Sequence, residues 1–83
     1  MIHIDCTNVE SKQQLHLLLQ KELAFPAWYG KNLDALMDCL TSMRADTEIT
    51  LKGFRTLGDW KEGFAETFAD AMTENPHLKI VLL

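Results

Sequence analysis

Two carboxylates, Asp34 and Asp38, have the residue type and spacing in this sequence that best suit chemistry. Residues four apart lie on the same face of a helix, and the segment before them carries two aromatic residues, Trp28 and Tyr29. Such a pair can serve as general acid and base, or it can present negative charge to a basic partner. Acid–base pairs of the glycosidase kind need a cleft between the carboxyl groups and an apolar environment for one of them. Neighbours on one exposed helix face offer neither, so the pattern favours binding over catalysis.

Two interpretations of this acidic and aromatic cluster stay open at the level of the residues. Asp34 falls in the first turn of a helix, where free N–H groups favour a carboxylate without any further role. Asp38 lies a turn later and lacks that explanation. Exposed aromatics beside carboxylates, with Met37 on the flank, have the composition of an interface centre, whereas a Trp28 that caps the core would be purely structural.

A second acidic set lies late in the chain, where four acids recur at every fourth position and form what we call the acidic ridge: Glu62, Glu66, Asp70 and Glu74. Like charges at this spacing destabilise an isolated helix by about 0.2–0.5 kcal/mol per pair. The ridge is either a solvated helix face or part of a surface that meets a basic partner. The whole chain has 12 acids against 8 bases and a formal charge of −4, which argues against direct binding to nucleic-acid phosphates.

Other chemistries find no support in the sequence. Three histidines, His3, His16 and His77, are scattered without metal-ligand spacing, and the glycines form no phosphate-binding loop. Two cysteines, Cys6 and Cys39, are too few for a disulfide framework and are expected to be reduced. We therefore expect neither a metal nor another cofactor. The first residues lack the charge and apolar run of a signal peptide, and no apolar run could span a bilayer, which makes the cytoplasm the expected location.

The periodicity of apolar residues predicts three strands separated by helices. Strands are expected at 2–6, 48–52 and 78–83, the last an apolar run typical of a central or doubly covered strand. Helices are expected at 12–24, 33–44 and from about 60 to 74. Their predicted N-terminal caps are Ser11 with Gln14, Asn32, and Asp59 with Glu62.

Two connections and the overall size complete this prediction. Gly30 is expected to provide a positive φ angle before the second helix, and Phe54 to Gly58 forms either a helical turn or a loop. The 83 residues are expected to make one domain, 1–83. Strands joined by helical crossovers favour an α/β fold with a three-stranded parallel sheet and three to four helices.

The segment from Pro26 to Thr41 has the pattern P-x-[WY]-Y-G-x-N-L-D-A-L-x-D-C-L-T. This long, nearly gap-free segment resembles the signature of the barstar family, the intracellular inhibitors of secreted ribonucleases such as barnase. The resemblance extends collinearly, though more weakly, over the flanking strands and helices. It implies a barstar-like α/β fold without enzyme activity, in which the second helix and its entering loop bind the nuclease.

The resemblance also implies a set of contacts. The position of Asp38 would occupy the site of a substrate phosphate, Asp34 would meet basic groups at the rim, and Tyr29 with Trp28 would pack near the catalytic histidine. The partner-binding residues expected from the family are Trp28, Tyr29, Gly30, Asn32, Asp34, Met37, Asp38, Thr41, Ser42, Met43 and Asp70. The expected partner is a basic ribonuclease or ribonuclease-like toxin, bound one to one by a free monomer, with no direct binding to nucleic acid or membrane.

Four residues differ from the family pattern, and these differences leave the identity of the partner open. Met37 and Met43 stand where the family has tryptophans, Ser42 where it has glycine, and Lys31 where it has an acid. Methionine fills irregular contacts but lacks the rigid plane of an aromatic anchor. The alternative function is therefore an interaction or immunity module of the same fold whose partner or toxin is not a ribonuclease.

Overall fold

The computed structural model describes all 83 residues and shows the α/β architecture that the sequence predicts. The elements, in chain order, are β1 (Ile2–Asp5), α1 (Lys12–Glu22), α2 (Leu33–Thr41), β2 (Thr47–Lys52), a short 3-10 turn (Phe54–Thr56), α3 (Lys61–Glu74) and β3 (Leu78–Leu82). No helix combines the length and the apolar character that a membrane crossing requires.

The three strands form one parallel sheet in the order β1-β2-β3. Ile2 aligns with Ile49, and Ile49 aligns in turn with Ile80, so alternate apolar side chains share one face. The helices bury that face. The core residues are Ile4, Cys6, Leu15, Leu19, Tyr29, Leu36, Leu40, Ile49, Leu51, Phe54, Leu57, Phe64, Phe68, Ala71, Leu78 and Ile80.

The opposite face of the sheet is open and mainly polar. It carries His3 and Asp5 from β1, and Lys79 from β3, all of them exposed. The prediction that the last strand is central or doubly covered is therefore wrong, because β3 is an edge strand and β2 is the central one. Leu78 and Ile80 face the helices, and Val81 is half-buried on the open side. The apolar sequence of β3 is typical of a strand that is buried on both faces, but only one face of this strand is buried.

The first two helices begin at the residues that the sequence predicts. Ser11 Oγ accepts a hydrogen bond from the Gln14 N–H at 3.2 Å. Gln14 Oε1 accepts from the N–H of Glu10 at 2.6 Å, one residue before the cap. In α2, Asn32 Oδ1 accepts from the Ala35 N–H at 2.7 Å. Both caps satisfy N–H groups that a helix leaves unpaired in its first turn.

The third helix begins differently from the prediction. Its N-terminal cap is Trp60, which makes no side-chain hydrogen bond, so the predicted capping box of Asp59 with Glu62 does not form. Gly63 has a packing role here, because a Cβ atom on it would lie 2.9 Å from Leu33 Cδ1. This close approach brings the first turn of α3 against the start of α2.

The connection between α1 and α2 also differs from expectation. Gly30 does not have a positive φ; instead Ala24 and Lys31 have φ angles of 54° and 55°. Two residues with side chains thus occupy a region that favours glycine. This connection carries Trp28 and Tyr29 to the start of α2 and so positions the candidate site.

Candidate protein-binding face

The α2 carboxylates are free of intramolecular partners. Asp34 and Asp38 are both exposed, and neither forms an ion pair or accepts a side-chain hydrogen bond. The two ion pairs of the protein lie elsewhere, between Lys61 and Glu62 and between His77 and Asp46. The α2 pair is therefore available to an external donor.

The two aromatic residues of the entering loop have opposite environments. Trp28 is 81 % exposed, which confirms an exposed aromatic beside the acidic pair. Tyr29 is only 2 % exposed, so the expectation that it is also exposed is wrong. Its ring packs 5.0 Å from the ring of Phe25. Tyr29 therefore supports the loop from beneath.

The hydroxyl of Tyr29 lies 2.7 Å from Nδ1 of His16, which is 3 % exposed, and the pair is buried. The His16 ring packs 4.7 Å from Phe64 of α3. Burial, with a smaller effect of the nearby Lys12 charge, lowers the pKa of His16. Burial likewise raises the pKa of Tyr29. The sequence gives no signal for this pairing of α1 with the loop before α2, beyond a lone histidine on an apolar helix face.

A groove of about 400 Å³ lies between the entering loop and the second half of α2. Trp28 and Met43 line it together with residues of the loop, and Asp38 is its only charged lining residue. Cys39 lines it too; burial raises the pKa of this thiol, with the Asp38 charge as a second cause. The structure thus brings Trp28, Asp38, Ser42 and Met43 to one concave surface.

The C-terminal end of α2 is held in place by Asn75, the residue that directly follows α3. Asn75 is 4 % exposed, and its Nδ2 donates to the carbonyls of Leu40 and Met43, each at 2.9 Å. Its Oδ1 accepts from the His77 N–H at 3.0 Å. Asn75 therefore joins the ends of α2 and α3 to the start of β3. An asparagine before proline predicts the end of a helix but does not predict this second role.

The remaining predicted contact residues surround this surface at different depths. Gly30, Asn32 and Ser42 are exposed, whereas Met37, Met43 and Thr41 are half-buried. The hydroxyl of Ser42 donates to the Asp38 carbonyl at 2.6 Å, and that of Thr41 to the Met37 carbonyl at 2.8 Å. Both side chains thus bond within α2.

The acidic ridge lies on the neighbouring helix. Its four members, Asp70 among them, are exposed on α3, which packs directly against α2. Only Glu62 has an ion-pair partner, Lys61 at 3.6 Å. The role of these residues in binding, like that of the whole set of predicted contacts, stays a prediction.

The two cysteines are both free thiols. Cys6 is buried in the core, where desolvation raises its pKa to about 11. No group of three histidine, cysteine or acidic side chains could hold a metal ion.

Two comparisons with known proteins bear on this face. The family model described as "Barstar (barnase inhibitor)" matches residues 1–77. The protein called "Putative ribonuclease inhibitor YrdF" of Bacillus subtilis strain 168 is 38% identical over 88 aligned positions, which cover 98% of this chain and 96% of that protein. The family is one of inhibitors, in agreement with the absence of a catalytic pattern in the sequence. With its parallel three-stranded sheet and its acidic second helix, this chain belongs to the barstar family.

Proposed function

We propose that this protein inhibits a basic, barnase-like ribonuclease by placing Asp38 where a substrate phosphate would bind. Membership of the barstar family supports inhibition of a ribonuclease in general. The observation that carries the finer proposal is the pair of α2 carboxylates, both exposed and both without an intramolecular partner.

The active site of a basic ribonuclease holds cationic groups that bind phosphate. A carboxylate on a rigid helix offers these groups charge-assisted hydrogen bonds without offering them a bond to cleave. Asp34, one turn before Asp38, would bind basic groups at the rim. Competition with the substrate then follows from occupancy alone.

Trp28 supplies the apolar part of the contact. Large exposed aromatic side chains are typical of interface centres, where they exclude water from neighbouring charge pairs. Beside Trp28, Met43 leaves the groove adaptable, because methionine is unbranched and flexible. The identity of the nuclease that fits this groove is set by these residues more than by the carboxylates, which suit any phosphate-binding cleft.

The test is a titration of the protein against a panel of basic ribonucleases that includes barnase, with residual RNA cleavage and complex formation as readouts. We expect stoichiometric, salt-sensitive inhibition of at least one enzyme. Asp38→Asn should abolish most of this inhibition, whereas Glu48→Gln, a matched loss of one negative charge on the open sheet face, should preserve it.

Two results would contradict the proposal. Inhibition by Asp38→Asn equal to that of the wild type would exclude the phosphate-mimic role of this residue. Failure to bind any ribonuclease of the panel would instead favour the alternative, an interaction or immunity module for another partner.

A further inference from the structure

A second groove, of about 480 Å³, lies where the first turns of α1 and α2 meet the start of α3. Its charged lining residues are Lys12, Lys31 and Asp34. Neither lysine has an ion-pair partner in the protein. In a chain with a formal charge of −4, two unpaired ammonium groups in one concavity form a local positive site, which borders the proposed nuclease-binding face at Asn32 and Asp34.

A buried donor completes this site. His16 is 3 % exposed, lines the groove, and uses Nδ1 for the Tyr29 hydroxyl. Its Nε2 makes no hydrogen bond in the protein. Every side-chain nitrogen and oxygen atom that is fully buried has a partner, so Nε2 keeps an opening. Because His16 lines the groove and Tyr29, the partner of Nδ1, does not, we infer that the small exposed part of the ring at Nε2 faces the groove.

The hydrogen-bond partners of the pair fix which nitrogen carries the proton. The buried Tyr29 hydroxyl has His16 Nδ1 as its single partner, and a buried O–H group must donate to avoid a desolvation cost. Nδ1 is then the acceptor, and Nε2 carries the hydrogen. Because the pKa of His16 is lowered by burial, the ring is neutral at pH 7 and presents one N–H donor to the groove.

The backbone of Lys31, a lining residue of the groove, is constrained. Lys31 is half-buried and adopts a φ of 55°, a conformation that most residues with a side chain avoid. The residue after it, Asn32, is anchored as the N-terminal cap of α2. The backbone from which the Lys31 side chain extends is thus defined by its own φ angle and by the anchored residue after it.

We propose that this groove binds the phosphate group of a small phosphorylated molecule between Lys12, Lys31 and the Nε2–H of His16. Lysine ammonium groups are common phosphate binders. A phosphate dianion can accept hydrogen bonds from two ammonium groups and a neutral N–H donor and balances both positive charges. A single carboxylate would balance only one of these charges. Trp60, which is half-buried and also in the lining, offers the wall against which the organic part of the molecule would pack.

The negative charge of Asp34 repels an anion bound in the same groove. Its carboxylate lines the rim, so removal of its charge should strengthen phosphate binding. The same substitution should weaken the inhibition of a ribonuclease under the function proposed above. The groove is thus tested without any nuclease, and the two proposals succeed or fail separately.

The experiment is an NMR titration of the full-length protein at pH 7 with inorganic phosphate, at constant ionic strength set by chloride. We expect saturable shifts of the backbone amides near Lys31 and of the His16 side-chain nitrogens, with the proton on Nε2. Lys31→Gln and Lys12→Gln should each weaken binding about tenfold, as expected for loss of a charged hydrogen-bond donor. Asp34→Asn should bind more tightly than the wild type.

Lys79→Gln is the matched control, because it removes an exposed lysine from the open face of the sheet, and it should leave binding unchanged. Phenyl phosphate should bind more tightly than inorganic phosphate if the aromatic wall takes part. The proposal would be overturned if the shifts did not saturate, or if Lys79→Gln weakened phosphate binding as much as Lys31→Gln does. Either result would indicate unspecific attraction between charges. Acetate that binds as tightly as phosphate would overturn it in favour of a carboxylate from a partner protein.

Discussion

The two acidic surfaces of this protein, the Asp34 and Asp38 pair on α2 and the acidic ridge on α3, differ in what lies beneath them. The α2 pair lies on a helix that is capped by Asn32 and fastened at its other end by Asn75. The ridge lies on a helix that begins without a side-chain cap. The ridge has the larger number of charges, whereas the α2 pair has the better-fixed position.

This difference separates two contributions of charge to binding. Exposed charge at the edge of an interface accelerates association and sets its salt dependence, while a fixed charge that becomes buried in the complex determines how long the complex lasts. Residues 59–75 hold five acids and one base, so the net charge of the chain is concentrated on the ridge. We therefore expect the ridge to attract the partner and the α2 pair to hold it.

The strongest way to test this comparison is to remove one acid from each surface. Asp38→Ala should weaken inhibition by about 2–5 kcal/mol, because the substitution leaves cationic groups of the partner buried without a counter-charge. This range includes values for the complex of barnase with barstar. Asp70→Ala should cost about 1 kcal/mol or less, as is typical of exposed charge pairs. Inhibition constants of both variants measure the two losses. Equal losses of affinity for Asp38→Ala and Asp70→Ala would contradict the proposal that the α2 pair holds the partner and the ridge attracts it.

The fastening beneath α2 is tested by Asn75→Ala. The substitution leaves the Met43 carbonyl without its donor and weakens the bonding of the Leu40 carbonyl, which should lower the free energy of unfolding by about 1–3 kcal/mol. Chemical denaturation measures this loss. Glu74→Ala, a change at the exposed neighbouring position, is the control and should alter stability by less than about 0.5 kcal/mol.

A smaller effect is expected beneath the entering loop. Tyr29→Phe keeps the aromatic packing but removes the hydroxyl that bonds to His16, and it should lower the free energy of unfolding by about 1 kcal/mol. Denaturation at pH 8 measures it. A variant as stable as the wild type would show that the buried hydrogen bond contributes nothing to holding the loop.

The same pair predicts the pH dependence of stability. The pKa of His16 in the folded protein lies below its ordinary value of 6.5, so the unfolded chain takes up a proton first as the pH falls. The contribution of neutral, buried His16 is complete above pH 6.5 and is lost progressively below it. Denaturation between pH 8 and pH 5 should show this loss, and His16→Gln should reduce the slope.

The smallest expected effect concerns the ridge itself. Glu62→Ala removes one repulsion between acids four residues apart, and also a weak surface ion pair, so stability should change by no more than about 0.5 kcal/mol. Its effect on inhibition should appear mainly as a reduced dependence of the association rate on salt. Stopped-flow association at two salt concentrations measures this, and a large change in the dissociation rate would contradict it.

Much of the framework was predictable from local signals. The alternation of Ile2 and Ile4 and the caps at Ser11 and Asn32 act within a few residues of the chain, so their patterns carried over to the structure. The cap predicted at Asp59 did not form: α3 begins after Trp60, and its first turn approaches Leu33 closely at Gly63. A capping box offers at most two exposed hydrogen bonds, whereas the approach of two helices depends on residues far apart in the chain, which a local pattern does not show.

The candidate site divides along the same line. The spacing of Asp34 and Asp38 predicted a shared, exposed helix face, since an amphipathic helix leaves only one side for charge. The sequence could not predict which of Trp28 and Tyr29 is buried, because they are adjacent residues in a loop. Which side chain turns inward depends on the residues that it contacts in the folded protein. For Tyr29 that partner is His16, 13 residues away in the sequence.

By itself the sequence determined the α/β class, the order of the elements, the acidic pair on α2 and the family, since each of these follows from periodicity, local capping or a continuous motif. Only the tertiary structure decided that β3 is an edge strand, that Tyr29 is buried, that Asn75 fastens α2, and that Lys12 and Lys31 share a groove with His16. These features depend on contacts between residues far apart in the chain. Their energies arise from burial and from hydrogen bonds that exist only once the helices have packed on the sheet.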